Sequence, residues 1–355
     1  MLSLAGDKVK TKNSNTFFLL VLALVCIFVP AALIYFGAVN GYVARILTIA
    51  ALNAIMAISV NMICGITGQL SLGQAGFMAI GMYASALLNG RLGVPLFLSI
   101  PLAGIIAAFA GFLIGFPTLK LSGDYLAIVT LGFGEIIRVI LVNLKSLTGG
   151  PNGLQVISNQ FMGLGVLKHA FSYIVVSVVL VLVMILLHNF IRSTYGRAVL
   201  SLREDEIAAE SSGIGIFKYK MLSFVIAAFI AGIAGGIYGP VNNIIKPENA
   251  AFARSVDYLI FVVLGGMGSI TGSVFAAFVL TSLQEILRFM RDYRLLVYPL
   301  ILIFVMLFRP QGLFGTKEIS VSGIAAFLKT IFAKVTARIE YRRTEDRRNA
   351  ERSAD

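Results

Sequence analysis

Glycines alternate with hydrogen-bonding side chains in the stretch GITGQLSLGQAGF, residues 65–77. The amides of Gln69 and Gln74 and the hydroxyl of Ser71 can each donate and accept hydrogen bonds, which suits contact with a polar solute. Gly68 and its neighbouring glycines allow backbones to approach closely. The stretch is therefore a candidate solute-contacting segment, although the same polar groups could instead satisfy backbone groups freed by a break in a helix.

A second set of residues that could take part in chemistry is the pair Glu135 and Arg138 in the apolar run LGFGEIIRVI. At i,i+3 spacing the two side chains can pair along one face of a helix. Ionisable residues inside a membrane segment are costly and are functional candidates by default. We interpret them as a structural ion pair and keep a solute or proton site as the alternative.

Motifs for catalysis are missing from the sequence. It contains no Walker A motif, no G-x-S-x-G, no paired catalytic carboxylates and no cluster with metal-ligand spacing. Cys26 and Cys64 lie in apolar segments and predict neither a disulfide framework nor a metal site. We therefore expect no enzymatic activity, no cofactor and no bound metal in this chain.

The composition is that of a polytopic membrane protein. Of the 355 residues, 58% are hydrophobic and 13% are charged, and the mean hydropathy is +0.90. Soluble domains average about 45–50% apolar and about 25% charged residues. The net charge of +12 lies in a few loops and the C-terminal tail, where positive charge orients a protein against the lipid membrane. A nucleic-acid partner is not expected.

Apolar runs predict the membrane spans. A crossing helix needs about 20 residues, so the run at 255–290 is too long for one helix, and it contains the turn-like sequence GGMGSITG. The predicted spans lie at 16–36, 42–64, 74–89, 95–115, 125–142, 172–191, 221–239, 255–290 and 295–309.

An internal repeat resolves the long run. When the chain is aligned with itself so that Phe77 falls on Phe252, GGMGSITG aligns with a predicted turn between two helices. The run at 255–290 is then two helices, and the total becomes ten spans. The transmembrane region 16–315 then holds repeats at about 42–142 and 217–315, and both termini are cytoplasmic. Because equivalent spans are five apart, the halves are inverted, an arrangement typical of transporters.

The repeat gives the first polar stretch a partner in IIKPENAAF, residues 244–252. Asn243 and Glu248 are the candidate solute-contacting residues there. Irregular backbone at membrane depth is tolerated only against protein or a water-filled cavity, so both stretches are candidate parts of a translocation pathway. The alternative is that both are ordinary surface loops, one on each side of the membrane.

The loop between the halves, residues 192–220, is rich in basic residues and is therefore predicted to be cytoplasmic. Residues 197–212 have a helix-permissive pattern, and the glycine that follows suits a helix stop. We interpret the segment as a short helix presented to a cytoplasmic partner, with a solvated connector as the alternative. The candidate contact residues are Arg197, Arg203, Glu204, Asp205, Glu206 and Gly213.

Both ends of the chain are predicted to be cytoplasmic. Residues 1–15 precede the first span, and the basic tail 316–355 contains an apolar stripe between positions 322 and 343. That stripe is typical of a helix lying on an anionic membrane surface. The ten-span arrangement leaves three arginines on the outer side, against the charge rule: Arg288, Arg291 and Arg294.

Six blocks of the sequence carry a resemblance to a known family. They are GQLSLGQAGFMAIGMYASALL, GDYLAIVTLGFGEIIRVIL, LTGGPNGL, GRAVLSLREDEIAAESSGI, VVLGGMGSITG and LFRPQGLFG. Together, over about residues 42–315, they resemble the LivM-type permeases of branched-chain amino acid ABC importers. The fourth block resembles the family's ATPase-coupling segment, but Ile207 stands where the broader E-A-A-x-x-x-G pattern has Glu.

The resemblance implies a multi-pass subunit of the bacterial inner membrane that pairs with a homologous LivH-type permease, two cytoplasmic ABC ATPases and a periplasmic solute-binding protein. It also implies an all-α fold similar to the vitamin-B12-type importer permeases, with about ten transmembrane helices in two inverted repeats. ATP hydrolysis would reside in the partner ATPases. Their closure would pull on residues 197–213 and switch the cavity between the two permeases from one side to the other.

Two alternatives stay open at this point. The binding protein would select the solute, and similar permeases handle urea, short amides and aromatic acids, so the resemblance leaves the substrate open within the family. An ion-coupled secondary carrier would also use inverted repeats. Such a carrier should have several buried acids for its ion, whereas only Glu135 is counted here as mid-span.

Overall fold

Helices dominate the fold, and their boundaries follow the apolar runs of the sequence. The computed structural model describes residues 30–35, 40–121, 123–156, 167–309, 312 and 315. Three predicted segments lie outside the described residues: the segment 1–15, the tail 316–355 with its apolar stripe, and the first span apart from residues 30–35. Residues 30–35 are helical.

The elements are numbered here in chain order. The helices are α1 (Gly41–Asn61), α2 (Gln74–Gly90), α3 (Leu96–Thr118), α4 (Asp124–Asn143), α5 (Lys145–Thr148), α6 (Leu167–Arg192), α7 (Thr194–Glu204), α8 (Glu206–Ser211), α9 (Ile216–Asn242), α10 (Phe252–Gly265), α11 (Ile270–Ile286) and α12 (Arg294–Phe308). A π-helical turn, Met62–Ile66, extends α1, and 3₁₀ turns lie at Gly150–Asn152, Pro247–Ala250 and Leu287–Tyr293. Strands β1 (Leu154–Gln155) and β2 (Ile244–Ile245) pair antiparallel, with Leu154 opposite Ile245.

Six helices in the described part of the chain are long and apolar enough to cross a membrane. By contrast, α2 has 17 residues and α10 has 14, fewer than the about 20 that a full crossing needs. The predicted turn GGMGSITG is confirmed, because α10 ends at Gly265 and α11 begins at Ile270. The all-α polytopic class predicted from the sequence is confirmed as well.

The two halves share the register that the sequence comparison found. The offset that places Phe77 on Phe252 also places the start of α1, Gly41, on the start of α9, Ile216. It places the end of α2, Gly90, on the end of α10, Gly265. The left-handed positions agree too, since Gly68, with φ 77°, falls on Asn243, with φ 63°. Helix ends and backbone breaks thus recur in one register, which supports an internal repeat.

Each half packs its first helix into the other half. Helix α9 lies mainly against α2 and α3, and α1 lies against α10 and α11. Small residues make the close crossing possible, since a Cβ at Gly81 would overlap the carbonyl oxygen of Gly232, and one at Gly235 would overlap that of Met78. The two halves of the chain are therefore interlocked.

Arg288 is one of the three arginines that the ten-span arrangement places on the outer side, contrary to the positive-inside rule, and it has local partners. Its Nη1 lies 2.8 Å from Glu285 Oε1 and 3.3 Å from the Tyr42 hydroxyl, which also donates to Glu285. A carboxylate thus offsets this positive charge and ties the end of α11 to the start of α1.

Candidate functional site

The break between α1 and α2 buries polar side chains that lack partners. Gln69 is 6% exposed, and Ser71 and Gln74 are equally well buried. Within the described part of the chain, both amide atoms of Gln69, the Ser71 hydroxyl and Gln74 Nε2 make no hydrogen bond. A buried polar atom without a partner is costly and is uncommon in folded proteins. Polar groups in this state mark a place where water or a polar solute would be bound.

Gln74 is held from one side only. Ser59 Oγ donates to the carbonyl of Ala227 at 2.7 Å and lies 3.1 Å from Gln74 Oε1. Turning the Gln74 amide over would let its nitrogen donate to Ser59 instead, and its oxygen would then be unpaired. In either orientation one buried atom of this amide is left for a further partner.

The two short helices begin side by side. The Ala75 amide, in the first turn of α2, donates to Ser255 Oγ in the first turn of α10 at 3.1 Å. Further along, the Tyr258 hydroxyl donates to Met78 Sδ at 3.1 Å. Helix α4 lies alongside, because Thr130 Oγ1 accepts from the amide of Leu72. Ser255 was missed from the sequence, since its role depends on a partner 180 residues away.

The predicted pair Glu135 and Arg138 is formed. Arg138 Nε lies 2.6 Å from Glu135 Oε2. Glu135 Oε1 also accepts from the backbone N–H of Phe252 at 3.1 Å, so this carboxylate of α4 caps the first turn of α10. A negative charge at a helix N-terminus is stabilising. This geometry favours the structural interpretation of the pair.

The second predicted polar stretch lies at the opposite end of α9. Asn243 and Glu248 are both exposed. The Asn243 carbonyl accepts from the amide of Val156 at 2.9 Å, next to the β1–β2 pair. A helix of 27 residues is about 40 Å long, so these residues are far from the start of α9. Asn243 is thus distant from Gln69, Ser71 and Gln74. The 3₁₀ turn that contains Glu248 instead packs against α2, and Asn249 Nδ2 of that turn lies 3.8 Å from Met82 Sδ.

The loop between the halves forms two helices, not one. The sequence predicts a single helix over 197–212, but α7 ends at Glu204 and α8 begins at Glu206. Asp205 causes the break, because its backbone is extended and its Oδ1 accepts from the amides of Ile207 and Ala208 at 2.9 and 3.0 Å. Asp205 is therefore an N-cap of α8.

The other predicted contact residues of this loop have different surroundings. Glu206 forms a 2.6 Å ion pair with the buried Lys220 of α9, which fixes α8 to the start of that helix. Gly213 follows the end of α8, as predicted for a helix stop, and its φ of 82° is left-handed. Among the described residues, the Arg197 guanidinium bonds only to the Arg192 carbonyl at the end of α6 and to the Thr194 hydroxyl, and Glu204 is exposed.

Ile207, in the first turn of α8, is 79% exposed. The outer surface of α7 and α8 thus combines an apolar residue with exposed carboxylates.

Arg203 reaches away from this surface into the body of the protein. Its Nη1 donates to the carbonyl of Gly65 at 2.6 Å, where α1 leaves carbonyl groups unpaired. A Cβ at Gly68 would lie 3.2 Å from Arg203 Cγ, and one at Gly268 would lie 2.5 Å from its Nη1. We call Gly65, Gly68 and Gly268 the glycine junction. Only residues without a side chain leave room for the guanidinium here.

Asn61, completely buried, closes the same junction. Its Oδ1 accepts from the Gly268 amide at 2.8 Å, and its Nδ2 donates to the Ser269 carbonyl at 3.0 Å. The end of α1 is thereby fixed to the turn between α10 and α11. Asn61 was missed from the sequence, because a single Asn in an apolar run gives no sign of its partners. Arg203 thus contacts both halves of the chain at one point.

A helical membrane protein with repeated, interlocked halves and polar breaks in its helices has the features of membrane transport proteins. The chain belongs to the family of branched-chain amino acid transport system permease components, whose model matches residues 42–306. The resemblance found in the sequence is thereby confirmed.

Individual relatives agree with this assignment. The chain is 39% identical over 292 residues to the high-affinity branched-chain amino acid transport system permease protein LivM of Escherichia coli K12, covering 76% of this chain and 69% of LivM. It is 27% identical over 291 residues to the corresponding LivH of the same strain, covering 77% and 94%. A probable LivM of Methanocaldococcus jannaschii is 27% identical over 247 residues, covering 61% and 69%. No solved structure matches the chain.

The unpaired amides give a test of the first break. Gln69→Leu with Gln74→Leu keeps much of the side-chain volume but removes the hydrogen-bonding groups. Each lost hydrogen bond is worth about 0.5–1.5 kcal/mol, so uptake by the assembled complex is expected to fall a few-fold to about tenfold. The measurement is uptake of labelled solute. Asn242→Leu, at the far end of α9, is the control and should leave uptake unchanged. Normal uptake by a well-assembled double variant would remove these amides from the pathway.

Proposed function

We propose that this chain is one of two permease subunits of an ATP-driven importer for branched-chain amino acids. The observation that carries the proposal is the 39% identity to LivM over 69% of that protein. The family model matches residues 42–306, a range that includes the polar break and the two loop helices, which supports a shared transport role. The chain itself supplies the pathway, and ATP hydrolysis belongs to its partners.

The proposed partners are a LivH-type permease, two ABC ATPases in the cytoplasm and a periplasmic solute-binding protein. Similarity of the chain to both LivM and LivH supports the pairing of two homologous permeases. The exposed Ile207 and the carboxylates of α7 and α8 supply a surface for an ATPase. Mass spectrometry of the complex purified in mild detergent should give one copy of each permease with two ATPases. A complex of this chain with itself alone would contradict the proposed pairing.

We also propose ten transmembrane helices in inverted halves, in the bacterial inner membrane, with both termini cytoplasmic. The shared register of α1 with α9 and of α2 with α10 supports the repeat. The ion pair of Glu206 with Lys220 places α8 at the start of α9, and the β1–β2 pair lies at its other end, about 40 Å away. The two ends of α9 should therefore face opposite sides of the membrane.

Thiol labelling checks this arrangement. With Cys26 and Cys64 replaced by Ala, a single cysteine is placed at Asn152, beside β1, or at Ser211, in α8. A membrane-impermeant thiol reagent should label Asn152→Cys in sealed cells and Ser211→Cys only after lysis. The same labelling of both in sealed cells would contradict the proposed topology.

In the proposed mechanism, closure of the ATPases moves α7 and α8. Because Arg203 holds the Gly65 carbonyl and lies against Gly268, the movement reaches the end of α1 and the turn before α11 together. The break between α1 and α2 shares this end of the protein with the loop helices. Its movement would open or close the path between the two permeases.

Uptake by cells tests the proposed function. A strain lacking this chain should lose high-affinity uptake of labelled leucine, isoleucine and valine, and a plasmid copy should restore it. Urea, a short amide and an aromatic amino acid are measured in parallel. Restoration of one of these in place of the branched-chain amino acids would contradict the proposed substrate.

A further inference from the structure

Four charged side chains lie within α4 and α10 and remain partly exposed. The side chains of Arg138 and Glu135 are 36% and 33% exposed, and those of Arg254 and Asp257 are 53% and 33% exposed. On α3, in contrast, the exposed positions are apolar, as at Phe109. Charged groups facing lipid are costly. The face that carries these four side chains is therefore not a lipid-facing one.

Arg254 and Asp257 lie deep in the membrane part of the protein. Helix α10 ends at Gly265, just before Gly268 of the glycine junction. At a rise of 1.5 Å per residue, Asp257 and Arg254 lie about 12 and 17 Å from that end. The hydrocarbon core of a bilayer is about 30 Å thick. The pair is therefore close to the middle of the membrane, next to the meeting point of α2 and α10.

Glu135 was the only acidic residue predicted to be mid-span, and Asp257 is a second acidic residue that lies within a helix, α10. Asp257 was overlooked because the predicted span 255–290 placed it near a span end. The structure instead begins α10 at Phe252, after a break, which places Asp257 inside the membrane part.

The two ion pairs differ in how fully they are satisfied. Glu135 and Arg138 are 2.6 Å apart, and Glu135 also caps α10. Arg254 Nη1 and Asp257 Oδ2 are 3.9 Å apart, which is too long for a hydrogen bond. Within the described residues, neither of these two side chains makes any hydrogen bond. This loose pair is available for other partners.

We propose that Arg254 and Asp257 bind the head group of a zwitterionic amino acid in transit, the guanidinium contacting its carboxylate and the Asp257 carboxylate its ammonium. This inference rests on the proposed function. An α-amino acid carries one charge of each sign a few atoms apart, as the pair does along α10. Entry of the solute exchanges one long contact for two charge-assisted hydrogen bonds, and departure restores the pair. Both charges therefore have a partner in the low-dielectric interior before, during and after passage of the solute.

Neutral variants test the pair. Arg254→Gln and Asp257→Asn are each assembled with the partner permease and ATPases and reconstituted with the binding protein. Leucine uptake should fall at least about tenfold, the effect of losing a hydrogen bond to a charged group. Complex yield, ATP hydrolysis without solute and leucine affinity of the binding protein should be unchanged. The matched control is Glu285→Gln with Arg288→Gln, an i,i+3 pair near a helix end, which should transport normally.

A charge swap separates recognition from a structural role. Arg254→Asp combined with Asp257→Arg keeps an ion pair but reverses its direction, so uptake should remain low if the pair orients the solute. Recovery of uptake in the swapped protein would overturn the inference, as would normal uptake by both neutral variants. Should a neutral variant fail to assemble, the swapped protein carries the test. If the wild-type complex transports no branched-chain amino acid, the proposed function fails, and the inference fails with it.

Discussion

Arg203→Gln is expected to leave ATP hydrolysis by the complex active while lowering solute uptake about tenfold or more. The guanidinium makes a 2.6 Å hydrogen bond to the Gly65 carbonyl and lies against Gly268. Hydrogen bonds to charged groups are worth about 1.5–3 kcal/mol, and about 1.4 kcal/mol corresponds to a factor of ten in rate. Glutamine is too short to reach the carbonyl, so movement of α7 would no longer reach α1. Uptake and ATP hydrolysis are measured on the same proteoliposomes.

The matched control for this prediction is Arg197→Gln on the same helix. Among the described residues, the Arg197 guanidinium bonds only to Arg192, at the end of α6, and to Thr194. Its loss should therefore leave uptake within about twofold, as expected for an exposed contact. If Arg203→Gln lowers uptake and ATP hydrolysis in equal proportion, Arg203 acts on ATPase binding and not on transmission. Normal uptake by Arg203→Gln would remove it from the mechanism.

Gly81→Val is expected to abolish accumulation of folded protein. A Cβ at Gly81 would overlap the backbone of Gly232, where α2 of one half crosses α9 of the other. Overpacking of an interior costs about 1–3 kcal/mol, occasionally more. Here the clash is with backbone, so the helices themselves must separate. The measurement is the monodisperse peak of the detergent-solubilised chain in size-exclusion chromatography.

Gly90→Val on the same helix provides the comparison for this effect. No heavy atom of the described residues lies within 4 Å of a Cβ built at Gly90, so this variant should give a normal peak. Gly81→Ala should fall between the two. A normal yield of Gly81→Val would mean that α2 and α9 pack less closely than described here.

The long apolar helices could be predicted well from the sequence. The spans 42–64, 95–115 and 125–142 are predicted to within a few residues of α1, α3 and α4, because composition and length decide a membrane helix. The division of 255–290 also followed from its glycines once the repeat was noticed. The span positions depend on local composition, and the division depends on a comparison of the chain with itself.

Features that depend on contacts between distant residues could not be predicted. The β1–β2 pair has strands of two residues each, too short to leave a pattern. The donor Ala75 and acceptor Ser255 are 180 residues apart, and neither is unusual in its own segment. Arg203 was grouped with the ATPase contacts because its neighbours in sequence are charged, whereas its side chain turns toward Gly65.

The candidate site was predicted in part. Gln69, Ser71 and Gln74 were selected for their polar chemistry, and the structure finds them buried with unpaired atoms. Asn243 was matched to Gly68 by the repeat, and the two share a left-handed backbone, but they lie at opposite ends of the protein. A repeat identifies equivalent positions, and inverted copies place equivalent positions on opposite sides.

The proposed function makes this chain part of an ATP-driven path for branched-chain amino acids. Its most direct test is leucine uptake into proteoliposomes that contain the purified complex, with ATP inside and the binding protein outside. Uptake should require both and should stop when a non-hydrolysable ATP analogue replaces ATP. Uptake driven by a proton or sodium gradient without ATP would contradict the account and identify a secondary carrier.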